Sequence, residues 1–151
     1  MLSELVETAI KKEEEAYDFY IDIYGKVNDE SVKEAIKSIA DEEKKHKAFL
    51  VKYRDEGWAP KDLKLNDVTY YKIAEYQQEP EIAGEMKSKD AYLIASHREL
   101  RAYNFYSQLA EIHPEGDLKE LLVKMANEEL KHKEKMEYLY ANTAFPQTDG
   151  G

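Results

Sequence analysis

The chain contains no cysteine, and this absence excludes several kinds of site at once. Disulfides, thiolate catalysis, iron–sulfur clusters and cysteine-ligated zinc modules all require thiol side chains. Any metal ion bound by these 151 residues must therefore be held by oxygen and nitrogen atoms.

Long apolar runs and basic tracts are also missing. No apolar segment approaches the roughly 20 residues that span a bilayer, and the first residues lack the pattern of a signal peptide. The 32 acidic and 22 basic residues give a formal charge of −10, and the lysines are interleaved with glutamates. We therefore expect a cytoplasmic protein that binds neither a membrane nor nucleic acid.

What the chain does contain is an internal repeat with an offset of 86 residues. The string EEEAYDFY (13–20) recurs as ELRAYNFY (99–106), and ADEEKKH (40–46) recurs as ANEELKH (126–132). In each copy a glutamate is followed 30 residues later by the pattern E-x-x-H. The repeated side chains are Glu13, Glu43 and His46 in the first copy and Glu99, Glu129 and His132 in the second. Four carboxylates and two imidazoles are a ligand set for two transition-metal ions.

Four stretches place apolar residues at steps of three and four, which is typical of packed helices. They predict an all-α fold of two duplicated antiparallel hairpins joined by a long crossover, as one domain over residues 1–143. The helices are expected from about Ser3 to Gly25, from 28–31 to Tyr53, from Ser88 onward, and from about Leu118 to Leu139. A short helix within Leu65–Tyr76 and a disordered tail over 144–151 are also expected.

The turn positions give an independent check on these hairpins. The midpoint between the two repeated glutamates is Asn28 in the first copy and Pro114 in the second, and both lie in expected turns. Each glutamate then lies about 22 Å from its turn, at 1.5 Å per residue. All four carboxylates are therefore expected at one level of the bundle.

The alternative interpretation is a bundle whose glutamates and histidines merely fall on the buried seam. Ionised carboxylates in a dry interior are strongly disfavoured, and two divalent cations remove that cost, so we favour a metal site. Oxygen and imidazole ligands suit iron, with manganese or zinc able to occupy the same site. The expected roles are terminal ligands for Glu13 and Glu99, bridging ligands for Glu43 and Glu129, and one ion each for His46 and His132.

Tyr20 and Tyr106 follow the terminal glutamates on the same stripe, and two roles stay open for them. They are either ordinary aromatic core or hydrogen-bonding partners of a metal-bound carboxylate. Other side chains near the motifs are expected to have no ligand role. These are Tyr17 and Tyr103 as packing residues, His97 and His113 at the surface or a helix end, and Glu14, Glu15, Glu42 and Glu128 as solvated charges. Ser31-x-x-Glu34 is expected to be a capping box.

Across residues 3–141 these motifs resemble the ferritin-like superfamily, and within it the rubrerythrin diiron domain. The resemblance implies a ferritin-like four-helix bundle, two iron ions bound by the six repeated side chains, and Tyr20 and Tyr106 as the family's hydrogen-bonding tyrosines. Family members reduce peroxide or oxidise iron with dioxygen or peroxide. The chain departs from the family at Ala102, where typical members carry a further glutamate, and it has no rubredoxin domain. It is therefore similar to a stand-alone member, and the family favours a homodimer.

Our expectation from the sequence is a diiron-carboxylate oxidoreductase that reduces peroxide or dioxygen. Its electrons would come from an external donor such as a rubredoxin-type protein. Two alternatives stay open: a ferroxidase that handles iron for storage or delivery, and a metal-stabilised module without catalysis.

Overall fold

The computed structural model describes residues 2–56 and 72–144 of the chain. Regular structure in these ranges is helical, without a β-strand. The five helices are α1 (Leu2–Tyr24), α2 (Glu30–Glu56), α3 (Ile73–Tyr76), α4 (Ser88–Ile112) and α5 (Asp117–Ala144). The predicted all-α fold is confirmed, and each of the four expected long helices is present.

The chain divides into two compact units, Met1–Asp62 and Leu63–Gly151. The first unit contains α1 packed on α2, and an ion pair between Glu7 and Arg54 joins the start of α1 to the end of α2. The second unit contains α4 packed on α5, with α3 against α4. Each unit is therefore an antiparallel hairpin built from one copy of the repeat. The expectation of a single domain over 1–143 stays a prediction.

A carboxylate cap starts the second helix of the first unit. Asp29 accepts hydrogen bonds from the Ser31 hydroxyl (2.6 Å) and from the backbone N–H groups of Ser31 (2.8 Å) and Val32 (3.4 Å). These bonds satisfy donors that the start of a helix leaves exposed. They also lower the pKa of Asp29, the hydroxyl bond contributing most. The predicted capping box at Ser31-x-x-Glu34 is wrong, because α2 already begins at Glu30 and Ser31 lies inside its first turn.

The four long helices supply the cores of the two hairpins. In the first unit the largest fully buried aliphatic side chains are Ile23, Ile36, Ile39 and Leu50. In the second unit Ala91–Ser96 are all buried, so this stretch of α4 has no solvent-facing side. None of the described helices is long and apolar enough to cross a membrane.

The connection between the hairpins contributes α3 to the second unit. The short helix expected within Leu65–Tyr76 is observed at Ile73–Tyr76, whereas residues 65–71 lie outside the described ranges. Ala144 is the last residue of α5, and the remainder of the expected tail also lies outside those ranges.

Candidate metal centre

The first hairpin buries its three repeated side chains in one cluster. Glu13 is on α1, and Glu43 and His46 are on α2, with relative exposures of 2%, 1% and 3%. One oxygen or nitrogen atom from each lies within 4.8 Å of the others. Nδ1 of His46 is 3.8 Å from Oε2 of Glu13. The hairpin therefore presents two carboxylates and one imidazole at a single buried point.

The second hairpin repeats this cluster with nearly the same geometry. Glu99 on α4 and Glu129 and His132 on α5 have exposures of 1%, 1% and 6%. Their donor atoms also lie within 4.8 Å of one another, and Nδ1 of His132 is 3.7 Å from Oε1 of Glu99. The structure thus brings together the three predicted donors of each copy.

Helix periodicity explains why each cluster forms. A glutamate and a histidine three positions apart lie on the same face of a helix, one turn from each other. The repeated glutamate of the facing helix reaches the same level because it lies equally far from the turn.

Metal–oxygen and metal–nitrogen bonds of about 2.0–2.2 Å place two ligands of one ion about 3–4 Å apart. The donor types and the two measured separations therefore fit a transition-metal ion.

Tyr20 and Tyr106 are buried in the two hairpins, with exposures of 0% and 1%. The ring of each packs edge-on against the phenylalanine that precedes it, with centroids 5.1 Å apart in both copies. The environment of the tyrosine is thus duplicated along with the donors. Its burial fits both roles that the sequence left open.

Two further glutamates lie closer to the histidines than the sequence suggested. Glu42 and Glu128 each place a carboxylate oxygen within 4.8 Å of a ring nitrogen of the histidine four residues later. Glu42 is half-buried, and Glu128 is buried, with an exposure of 8% and an ion pair to Lys131 at 3.4 Å. The prediction that Glu128 is a solvated charge is wrong, because α5 is buried on more than one face in this region. Glu14 and Glu15 are exposed as predicted.

The second unit contains a buried charge network that the sequence pattern did not indicate. Nζ of Lys133 lies 2.8 Å from carboxylate oxygens of both Glu75 and Glu137. Lys133 and Glu137 have exposures of 2% and 1%. Oε2 of Glu137 also accepts hydrogen bonds from the backbone N–H groups of Ile73 (2.6 Å) and Ala74 (2.7 Å). The four-residue spacing of Lys133 and Glu137 was visible in the sequence, but the position of α3 over them was not.

The two remaining histidines belong to neither cluster of the described residues. Nδ1 of His113 donates a hydrogen bond to the carbonyl of Leu109 at 2.7 Å and ends α4, which confirms a helix-end role. His97 is half-buried on α4, so it is less exposed than a surface role implies.

A family model described as Rubrerythrin matches residues 4–140, a range that contains both donor clusters. The comparison with curated proteins found no match, and neither did the comparison with solved structures.

Proposed function

Since the chain belongs to the rubrerythrin family, we propose that it is a diiron oxidoreductase that reduces hydrogen peroxide or dioxygen. The observation that carries this proposal is the duplicated cluster of two buried carboxylates and one imidazole, with the same spacing in both hairpins. An accidental seam of polar residues would have no reason to recur with matching burial and distances. Two equal sets of donors support one ion per set.

In this proposal the six repeated side chains bind two iron ions. Glu43 and Glu129 would be shared by the two ions, Glu13 and Glu99 would each bind one ion, and one histidine would hold each ion. Four carboxylate charges against two divalent cations give a neutral centre, which a buried site tolerates far better than four uncompensated anions. A ferrous pair supplies two electrons, enough to convert one hydrogen peroxide and two protons into two water molecules as both ions become ferric.

The protein side chains fix the ligand set and leave electron supply to another molecule. Ala102 stands where typical rubrerythrins have a further glutamate, and its counterpart in the first copy is Ala16. Both copies therefore offer the same three donors. The absence of cysteine means that electrons reach the site from a donor outside these 151 residues, for which a rubredoxin-type protein is suited.

The proposal is tested by loading metal-free protein with ferrous iron under anaerobic conditions and titrating it with hydrogen peroxide. We expect two irons per chain, one peroxide consumed per two irons oxidised, and repeated turnover only when a reduced donor is added. Glu13→Gln should lose iron, whereas Glu15→Gln, an exposed glutamate of the same helix, should not. Iron retained far beyond two per chain would favour the iron-handling alternative. Metal binding without any oxidation would leave a metal-stabilised module.

A further inference from the structure

A groove on the first hairpin reaches one of the clustered glutamates from solvent. This α1–α2 groove has a volume of about 230 Å³. It is lined by Glu13, Glu14, Tyr17, Asp18, Lys44 and Lys47. Since a water molecule occupies about 30 Å³, the groove holds only a few molecules of peroxide size. Five of its six lining residues are charged, so it suits small polar reactants.

The repeat supplies an internal comparison for this groove, because every lining position has a counterpart 86 residues later. Three charged positions change: Glu14 becomes Leu100, Asp18 becomes Asn104 and Lys44 becomes Leu130. Lys44 is exposed, whereas Leu130 is buried with an exposure of 6%. The second hairpin therefore has uncharged residues at three of the five charged positions that line the groove in the first.

Two charged counterparts remain, Glu99 and Lys133, and the lysine is covered. Lys47 of the α1–α2 groove corresponds to Lys133, which is 2% exposed and held at 2.8 Å by both Glu75 and Glu137. Glu137 in turn binds two backbone N–H groups at the start of α3. The short helix is thus fixed over this stretch of α5, and it closes the position that is open at Lys47.

A cavity on the described part of the second hairpin does not reach its clustered glutamate. It measures about 370 Å³ and includes Tyr103, Ala126 and Leu130 in its lining, but Glu99 is not among its lining residues. The equivalent glutamate of the first hairpin, Glu13, lines the α1–α2 groove directly.

We propose that small polar reactants, of the size and polarity of hydrogen peroxide or a hydrated metal ion, reach the site through the α1–α2 groove beside Glu13. At the counterpart positions of the second hairpin, Leu130 is buried and α3 covers Lys133. As a route to the metal-binding side chains, this inference rests on the proposed function. It adds that two nearly identical half-sites differ in access, with the groove beside Glu13 as the entry.

The cysteine-free chain allows a direct test with one matched pair of positions. Asp18 and Asn104 are repeat counterparts, and both are exposed. Asp18→Cys and Asn104→Cys are each capped in separate samples with a small carbamidomethyl group or with a bulky maleimide. The rate of Co²⁺ uptake by the metal-free protein is followed by the visible absorption of the bound ion. The rate of ferrous oxidation by peroxide is measured on separately loaded samples.

The bulky cap at position 18 should slow Co²⁺ uptake and peroxide oxidation at least tenfold relative to the small cap, with unchanged final stoichiometry. The bulky cap at position 104 should change either rate less than twofold. Equal effects at both positions, or none at position 18, would overturn the access route while leaving the proposed function intact. Co²⁺ uptake slowed only at position 18, without peroxide oxidation in any sample, would support the route and refute the oxidoreductase. A protein that takes up no metal overturns both.

Discussion

Four buried glutamates are the residues on which the proposed metal binding depends. Glu13, Glu43, Glu99 and Glu129 have exposures of 1–2%, the same range as the central isoleucines. A buried carboxylate costs stability unless its charge is compensated, so these positions would hold apolar residues if packing alone selected them. The proposed metal binding accounts for their identities, because hairpin packing alone does not call for carboxylates.

Asp29 is an exposed carboxylate that stabilises the folded state by capping the start of α2. Its pKa is lowered by hydrogen bonds from Ser31 and Val32, so the folded state favours its charged form. Its stabilising effect is then present above the unfolded pKa of about 3.9 and is lost as the pH falls through the lowered folded value. Asp29→Ala should lower the melting temperature by a few degrees at neutral pH, whereas Asp29→Asn should lower it less, since the amide oxygen still caps the helix.

Thermal melts of the two variants and the wild type, followed by circular dichroism from pH 7 down to about pH 3, check this prediction. The gap between Asp29→Asn and wild type should narrow as the pH falls. A gap that stays constant over this range would mean that the charge of Asp29 contributes nothing beyond its oxygen atoms.

Residue-level predictions succeeded where helix periodicity alone decides orientation. The donors converge within each hairpin because E-x-x-H and the equidistant glutamate fix their level and face. The prediction for Glu128 failed because periodicity identifies a solvated face only when the other side of the helix meets water. In α5 that condition does not hold around Glu128 and Lys133, which have exposures of 8% and 2%.

Among the elements, α3 departs most from what the sequence could predict. Four residues form too little helix to be stable by themselves, and α3 is held by contacts with the second hairpin. Glu137 accepts hydrogen bonds from two backbone N–H groups in the first turn of α3. Glu75 of α3 forms an ion pair with Lys133. The long helices can be predicted from the spacing of their apolar residues alone. The position of α3 depends on tertiary contacts that no local pattern contains.

The buried network that holds α3 gives a prediction at this scale. Glu137→Ala should destabilise the protein by about 3–5 kcal/mol, because it leaves a buried lysine and two backbone donors with poorer partners. Glu75→Ala should cost clearly less, since that carboxylate is 33% exposed and water can replace it. The double variant Lys133→Met/Glu137→Leu should recover part of the loss, because removing both partners leaves no uncompensated charge.

Urea unfolding curves of the three variants measure these differences, with Glu134→Ala on the same helix as a control. Protection of the Ile73 and Ala74 amides from hydrogen exchange should also fall in Glu137→Ala. Equal stability of Glu137→Ala and wild type would show that the network does not anchor α3.

For the whole molecule, the duplication couples fold to function, because each hairpin alone carries only half of the proposed ligand set. The chain also has a formal charge of −10, and each hairpin holds two buried carboxylates that repel each other. Both properties make the stability of the metal-free protein sensitive to ligand binding. The repeat could be found from the sequence, but the unequal access to its two copies could not, because that depends on α3.

Metal binding should therefore raise the melting temperature of the whole chain, and chelation should lower it. A free ion at 100 times its dissociation constant stabilises the folded state by about 2.7 kcal/mol, or about 5–10 °C for a chain of this length. Glu43→Gln/Glu129→Gln should abolish this dependence and raise the melting temperature of the metal-free protein by removing repulsion.

The matched control is Glu34→Gln/Glu120→Gln, a pair of exposed repeat counterparts, which should respond to metal as the wild type does. The melting temperature of each variant is measured by calorimetry with ferrous iron under anaerobic conditions, with Co²⁺ and with chelator. If the first double variant gains as much from metal as the wild type, the bridging role of its two glutamates is wrong.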